Sequence, residues 1–240
     1  MRIGEKGIPL GHLIMENKFI PIRKKLFYLR RKWKLLPMQR IIKKLKNKGV
    51  NLNKLSLLDI FAGNGNMTTI DLYNIVENLE LWEINKKCEQ VLKSKMPNSK
   101  IKIVDSFNEI NQIQSKYDVI LIDSWPRISF GQAEHFNLFP KVFDILNDNG
   151  ILIILVMPEI NGNFASEELL NFRKLFYNVD DPKDIPFNKM IKTYAKLALE
   201  KQFNIIDWFY VDRWFLYFIT KWFRNKRLCF LVIRFNKKTT

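Results

Sequence analysis

Between an apolar run and a segment of helical spacing the chain places Asp59-Ile60-Phe61-Ala62-Gly63-Asn64-Gly65. Glycines at such a point permit a tight turn and let the backbone approach a ligand, while the following helix offers unpaired N–H groups to an anion. No Gly-Lys-Ser/Thr follows, which argues against a phosphate loop of the nucleotide-triphosphatase kind. A glycine turn alone serves structure as readily as chemistry. Its weight comes from three further acids at the ends of later apolar runs: Glu83, Asp105 and Asp123. Glu83 lies 24 residues after Asp59, a spacing at which a carboxylate can accept both hydroxyls of a ribose. Asp105 is equally suited to capping a helix. In an open α/β sheet the carboxyl ends of the strands line one crevice, so four acids arriving there form a set.

The elements that must position them read as short apolar runs alternating with helical patterns. The runs are Leu55–Phe61, Leu79–Ile84, Lys100–Val104, Tyr117–Asp123 and Gly150–Met157, and the helical segments include Met67–Glu77, Lys86–Lys95 and Glu134–Leu146. This alternation predicts crossover units and a parallel sheet covered on both faces. Phe203–Val211 and Arg227–Phe235 are strand-like with no long helical pattern between them, and suggest a closing antiparallel pair. The expected fold is α/β and doubly wound: a mostly parallel seven-stranded sheet with an antiparallel last strand, in a domain spanning residues 55–240. Residues 1–54 form a basic helical N-terminal extension, in which Ile22, Leu26, Leu29 and Trp33 precede Pro37 and a second helix, Met38 to Lys48, ends at Gly49. That extension is either a solvated cap on the main domain or a substrate-binding arm.

From about Leu55 to Phe235 the chain resembles the class I S-adenosylmethionine-dependent methyltransferases, on the glycine-rich motif Asp59 to Gly65 and the acids Glu83, Asp105 and Asp123. The resemblance implies S-adenosyl-L-methionine as cofactor, with Gly63 and Gly65 near its methionine portion and Asp59 near its ammonium. Glu83 would bind the ribose, and Asp105 the adenine amino group with Phe107 stacking beside it. Phe61, Ala62, Ser106 and Asp123 complete the implied cofactor set. The form Asp-x-Phe-Ala-Gly-x-Gly is similar to the version found among nucleic-acid base methyltransferases.

The segment Asp123-Ser124-Trp125-Pro126 departs from the Asp/Asn/Ser-Pro-Pro-aromatic tetrad of enzymes that methylate exocyclic base nitrogens, which puts that chemistry in doubt, although Trp125 could still stack a planar substrate. Neither Cys88 nor Cys229 is placed for cytosine-C5 chemistry. Asp123 is the residue expected to orient the acceptor. His135 could act as a general base or, alternatively, cap the following helix; Glu134 is a weaker candidate.

The net charge of +16 is unevenly distributed. Residues 1–54 hold 16 Lys or Arg against two acids, residues 201–240 nine against two, and residues 55–200 fifteen against twenty. Basic ends around a mildly acidic middle predict an anionic partner, with a compositional bias toward lysine as the alternative. Nucleic acid is the partner expected, RNA in preference to DNA. The aromatic and basic stretch Trp208 to Arg224 suits base stacking with phosphate contact, a peripheral anionic membrane surface, or a core-facing helix. Two distant cysteines suggest neither a disulfide framework nor a zinc site, and no run of 18 uncharged apolar residues occurs. The chain therefore reads as cytoplasmic, with no transmembrane segment. Three functional readings stand: a methyltransferase acting on RNA; one acting on a glycan, lipid-linked or small molecule at a membrane surface, with aminopropyl transfer a remote variant; and a non-catalytic Rossmann-like module.

Overall fold

The structure, a computed structural model, describes residues 36–65, 68–124, 128–129, 132–133, 135–160, 165–213 and 226–238. The first basic helix expected before Pro37, the residues Trp125, Pro126 and Glu134, and the aromatic stretch from Trp214 to Arg224 lie outside the described residues.

Among the described residues seven strands form one sheet: β1 (Ser56–Asp59), β2 (Asn78–Glu83), β3 (Lys100–Ile103), β4 (Tyr117–Ile122), β5 (Leu146–Ile160), β6 (Phe203–Asp212) and β7 (Lys226–Lys237). Their spatial order is β3-β2-β1-β4-β5-β7-β6. The first five are parallel, and β7 is inserted antiparallel between β5 and β6. This is the expected doubly wound sheet with an antiparallel last strand. A separate two-stranded antiparallel sheet pairs Ile128–Ser129 with Gln132–Ala133.

Side-chain alternation divides the core between the two faces of the sheet. Leu58, Trp82, Ile120, Ile122, Leu152 and Ile154 pack on one side with Tyr177 and Tyr194 of helices α5 (Glu167–Tyr177) and α6 (Phe187–Leu199). Leu57, Leu81, Val119, Leu121, Ile151 and Ile153 pack on the other with helices α1 (Pro37–Asn47), α2 (Thr69–Tyr73) and α3 (Glu89–Lys95). Burial on both faces is why these strands read as continuous apolar runs. Each fully buried Leu or Ile contributes roughly 1.5–3 kcal/mol relative to exposure.

Helix α1 belongs to this core. Met38, Ile41, Ile42 and Leu45, spaced three or four apart, are buried against the sheet. Gly49 at φ +79° closes the helix, with the Val50 N–H reaching back to the Leu45 carbonyl, a left-handed cap that glycine accommodates without a Cβ clash. The compact unit runs from Pro37 to Thr240, so α1 lies inside it, upstream of the boundary expected at residue 55.

Two expectations are corrected. The segment Glu134–Leu146 is not one helix: it forms two 3-10 turns, Phe136–Leu138 and Lys141–Phe143, on either side of Pro140. Proline lacks the N–H a continuous helix would use there, and its ring collides with the preceding turn. Helix α2 is also shorter than the pattern over Met67–Glu77 suggested. Among the described residues no helix is long and apolar enough to cross a membrane.

Candidate cofactor site at the carboxyl edge of the sheet

Strands β1, β2 and β4 are parallel and adjacent, with Asp59 in register with Leu81 and Leu121, so their carboxyl ends open on one edge. There the turn after β1 is tied to the end of β2. The Gly63 N–H donates to Glu83 Oε2 at 2.7 Å, and the Asn85 N–H donates to Oε1 at 2.7 Å. Glu83 is thus held by two main-chain donors while each of its oxygens keeps a lone pair for a further hydroxyl.

The two glycines of the turn differ in task. Both have positive φ, +55° at Gly63 and +70° at Gly65. A Cβ at Gly63 would meet nothing within 4 Å, whereas one at Gly65 would lie 2.4 Å from Met96 Cε and 3.1 Å from Leu92 Cδ2. Gly63 therefore borders open space, and Gly65 is needed for close packing against α3.

Asp59 is fully buried. Thr69 Oγ1 donates to its Oδ2 at 2.6 Å and the Phe61 N–H to its Oδ1 at 3.2 Å. Burial pushes its carboxyl up to about 7; the charges of Asp123 and Glu83 act in the same direction, and the two hydrogen bonds oppose it. Asp105 caps the short helix α4 (Ser106–Glu109), accepting from the Phe107 N–H at 3.0 Å and from Asn108 Nδ2 at 2.9 Å. Ser106 Oγ donates to the Ile60 carbonyl at 2.6 Å, which fastens α4 to the exit of β1. The rings of Phe61 and Phe107 lie 5.9 Å apart. Ile84, immediately after Glu83, is 55% exposed despite its size. Ala62 is buried, its N–H bonded to the Trp82 carbonyl at 3.0 Å.

Asp123 follows β4 and is engaged on both oxygens. Thr68 Oγ1 donates to Oδ2 at 2.9 Å and Arg213 NH1 to Oδ1 at 2.8 Å. Next to it, the Ser124 hydroxyl is buried with no hydrogen-bond partner among the described residues.

His135 does not join this set. It is fully buried among the rings of Phe136, Phe139, Phe176 and Tyr194, with Nε2 2.6 Å from the Tyr194 hydroxyl. Burial, reinforced by the positive charge of Arg173, pushes its pKa down to about 3. A neutral ring sealed in the core has no access to an acceptor, so the general-base expectation is replaced by a packing role. Arg213, Thr68 and Ile84 were missed by sequence reasoning. Of these only Ile84 carried a local signal, an apolar residue directly after Glu83.

No protein-family model matches the sequence, and no curated protein matches it by sequence. Solved structures do match its fold. M. jannaschii TYW2 in complex with AdoMet superposes with a TM-score of 0.52 at 14% identity, over 82% of this chain and 76% of that one. The chain has the class I methyltransferase fold. A proposed RNA methyltransferase from Pyrococcus horikoshii gives 0.50 at 13% identity, covering 84% of this chain and 83% of that one. A proposed SAM-dependent methyltransferase from Streptococcus mutans gives 0.53 at 14% identity, over 82% of this chain and 48% of that one. At these identities the methyltransferase likeness concerns architecture, and the site residues stand on their own geometry.

Proposed function

We propose that this chain is an S-adenosylmethionine-dependent methyltransferase whose acceptor is RNA. The observation that carries the reading is the Gly63–Glu83 hydrogen bond, which joins a glycine turn bordered by open space to a carboxylate with unused acceptor capacity at the same sheet edge. The residues present suit the cofactor. Glu83 accepts the ribose hydroxyls, and the backbone at Gly63 admits the methionine portion. Asp59, whose burial raises its pKa to about 7, would give up its proton as the ammonium comes near it. Ile84, Phe61 and Phe107 supply apolar surface for an adenine ring, and Asp105 can accept from its amino group.

When bound, the cofactor supplies an electrophilic sulfonium methyl; the protein's share is to hold the acceptor in line with it and exclude water. Asp123, fixed by Thr68 and Arg213, and the buried Ser124 hydroxyl, which has no partner among the described residues, are the polar groups placed to orient that acceptor. RNA is favoured by the strongly basic chain ends and by the fold shared with a proposed RNA methyltransferase.

Calorimetric titration with S-adenosylmethionine is expected to show binding that weakens at least tenfold in Glu83→Ala. Incubation with methyl-labelled cofactor and fractionated cell extract should place the label in nuclease-sensitive RNA. Folded protein that takes up no cofactor overturns the enzyme reading, and label recovered only in lipid or small-molecule fractions moves the acceptor to another class.

A further inference from the structure

Helix α1 carries no acidic side chain, and Arg40, Lys44 and Lys48 recur four residues apart along one ridge. The ridge follows β6, the outer strand of the sheet. The Arg40 guanidinium donates to the Asp212 carbonyl oxygen, Lys44 Nζ to the Tyr210 carbonyl at 3.4 Å, and Lys48 Nζ to the Asp207 carboxylate at 3.0 Å. Between helix and strand lies an open groove of about 450 Å3, bordered by Arg40, Lys44 and the stretch from Trp208 to Asp212. The ammonium groups of Lys44 and Lys48 stand 5.1 and 6.0 Å from the centroid of the Phe209 ring. Trp208 and Tyr210 are each more than a third exposed. Lys43 and Lys46 lie farther round α1, Lys46 on the flank away from β6; both are exposed, and among the described residues neither has a carboxylate partner.

We propose that this edge of the domain is a docking surface for single-stranded RNA; the proposal rests on the RNA-methyltransferase reading and gives that substrate a place to bind. Charge complementarity selects the occupant. Lys43, Lys44, Lys46 and Lys48 fall within two turns, while the acids of the facing strand are already engaged, Asp207 by Lys48 and Arg234, and Asp212 by Arg227. Phosphates meet the lysines, and the exposed ring of Trp208 offers a π-face to a base. An added peptide strand is disfavoured because Lys44 and Arg40 cap the Tyr210 and Asp212 carbonyls that such a strand would have to pair with.

The test is anisotropy of a short fluorescent oligouridylate titrated with the full chain over a salt series. Lys43→Glu/Lys44→Glu, at two exposed positions, one of them lining the groove, should weaken binding at least tenfold and flatten the log–log salt slope by about 1.4, or about 0.7 for each lost phosphate contact. Trp208→Ala should weaken binding about tenfold and leave the slope unchanged. Thermal melts matching wild type show that the variants are folded. Unchanged affinity and slope in the lysine variant overturn the surface. Polyglutamate or phosphatidylserine vesicles binding as tightly as the oligouridylate, with the same sensitivity to the variant, overturn the RNA assignment. The parallel titration with S-adenosylmethionine separates the two readings. Protein that binds RNA through these residues but takes no cofactor loses the methyltransferase reading and keeps the surface. Cofactor binding with an RNA affinity indifferent to the lysines does the reverse.

Discussion

Arg213, at the end of the outer strand β6, donates to Asp123, at the end of the central strand β4, across 2.8 Å, with both side chains only 12% exposed. The pair fixes the acid proposed to orient the acceptor and ties it to the antiparallel pair of β6 and β7. Arg213→Met is expected to leave a largely buried carboxylate without its cation, lowering stability by about 2–4 kcal/mol and methyl transfer by at least tenfold. Asp123→Asn/Arg213→Met should recover part of the stability but not the activity. Urea unfolding of the four members of the cycle measures the coupling, and strictly additive losses would show that the contact does not matter energetically.

Asp59 predicts a pH dependence of known sign. Its folded pKa, about 7, lies above the ordinary aspartate value of 3.8. The folded state therefore keeps its proton where the unfolded state has lost it. The associated stability is fully present below pH 3.8 and is lost as pH rises toward 7, by roughly 4 kcal/mol at most. Asp59→Asn removes this loss, so its stability relative to wild type should climb between pH 4 and 7 and then level off. A difference that stays flat across that window would show that the buried carboxyl is ionised throughout. Placing the cofactor ammonium near Asp59 should also release protons at pH 6.5, detectable by calorimetry in buffers of different ionisation enthalpy.

The unequal surroundings of the two turn glycines predict separable defects. Gly65→Ala forces a Cβ onto Met96 Cε and adds the cost of a left-handed backbone. It should lose about 2–4 kcal/mol of stability, and the loss in combination with Met96→Ala should be less than the sum of the two single losses. Gly63→Asn, in a conformation asparagine tolerates and with space around it, should remain within about 1 kcal/mol of wild type. Its added side chain enters the open space beside Glu83, so cofactor affinity should fall at least tenfold. Comparable unfolding midpoints for the two variants would contradict the division of roles.

The strands were legible because a parallel strand buried on both faces becomes an uninterrupted apolar run, and each acid that ends a run announces the sheet edge. What the sequence concealed depends on long separations. Arg213 reaches Asp123 over 90 positions, and nothing local marks the pairing. Helix α1 was grouped with the basic N-terminus by its charge, although Met38, Ile41, Ile42 and Leu45 already carried the spacing of a core face. The extended helix expected after Asp123 failed at Pro140, a breaker the apolar pattern around it outweighed.

His135 shows the same limit in a form that mutation can test. Its place shortly after Asp123 in sequence suggested a base, but Tyr194, 59 residues later, and Phe176 close over the ring. His135→Gln should therefore retain methyl transfer within a few-fold of wild type, with an unshifted pH–rate profile, while losing stability because an aromatic packing partner is gone. The pH sign follows from the depressed pKa, about 3 against an ordinary 6.5. Wild type keeps the associated stability above pH 6.5 and loses it as pH falls toward 3, since only the unfolded chain can take up the proton. The variant should be less acid-sensitive over that interval in urea titrations. A hundredfold loss of turnover in folded His135→Gln, with the acidic limb missing from the rate profile, would return the ring to the catalytic site.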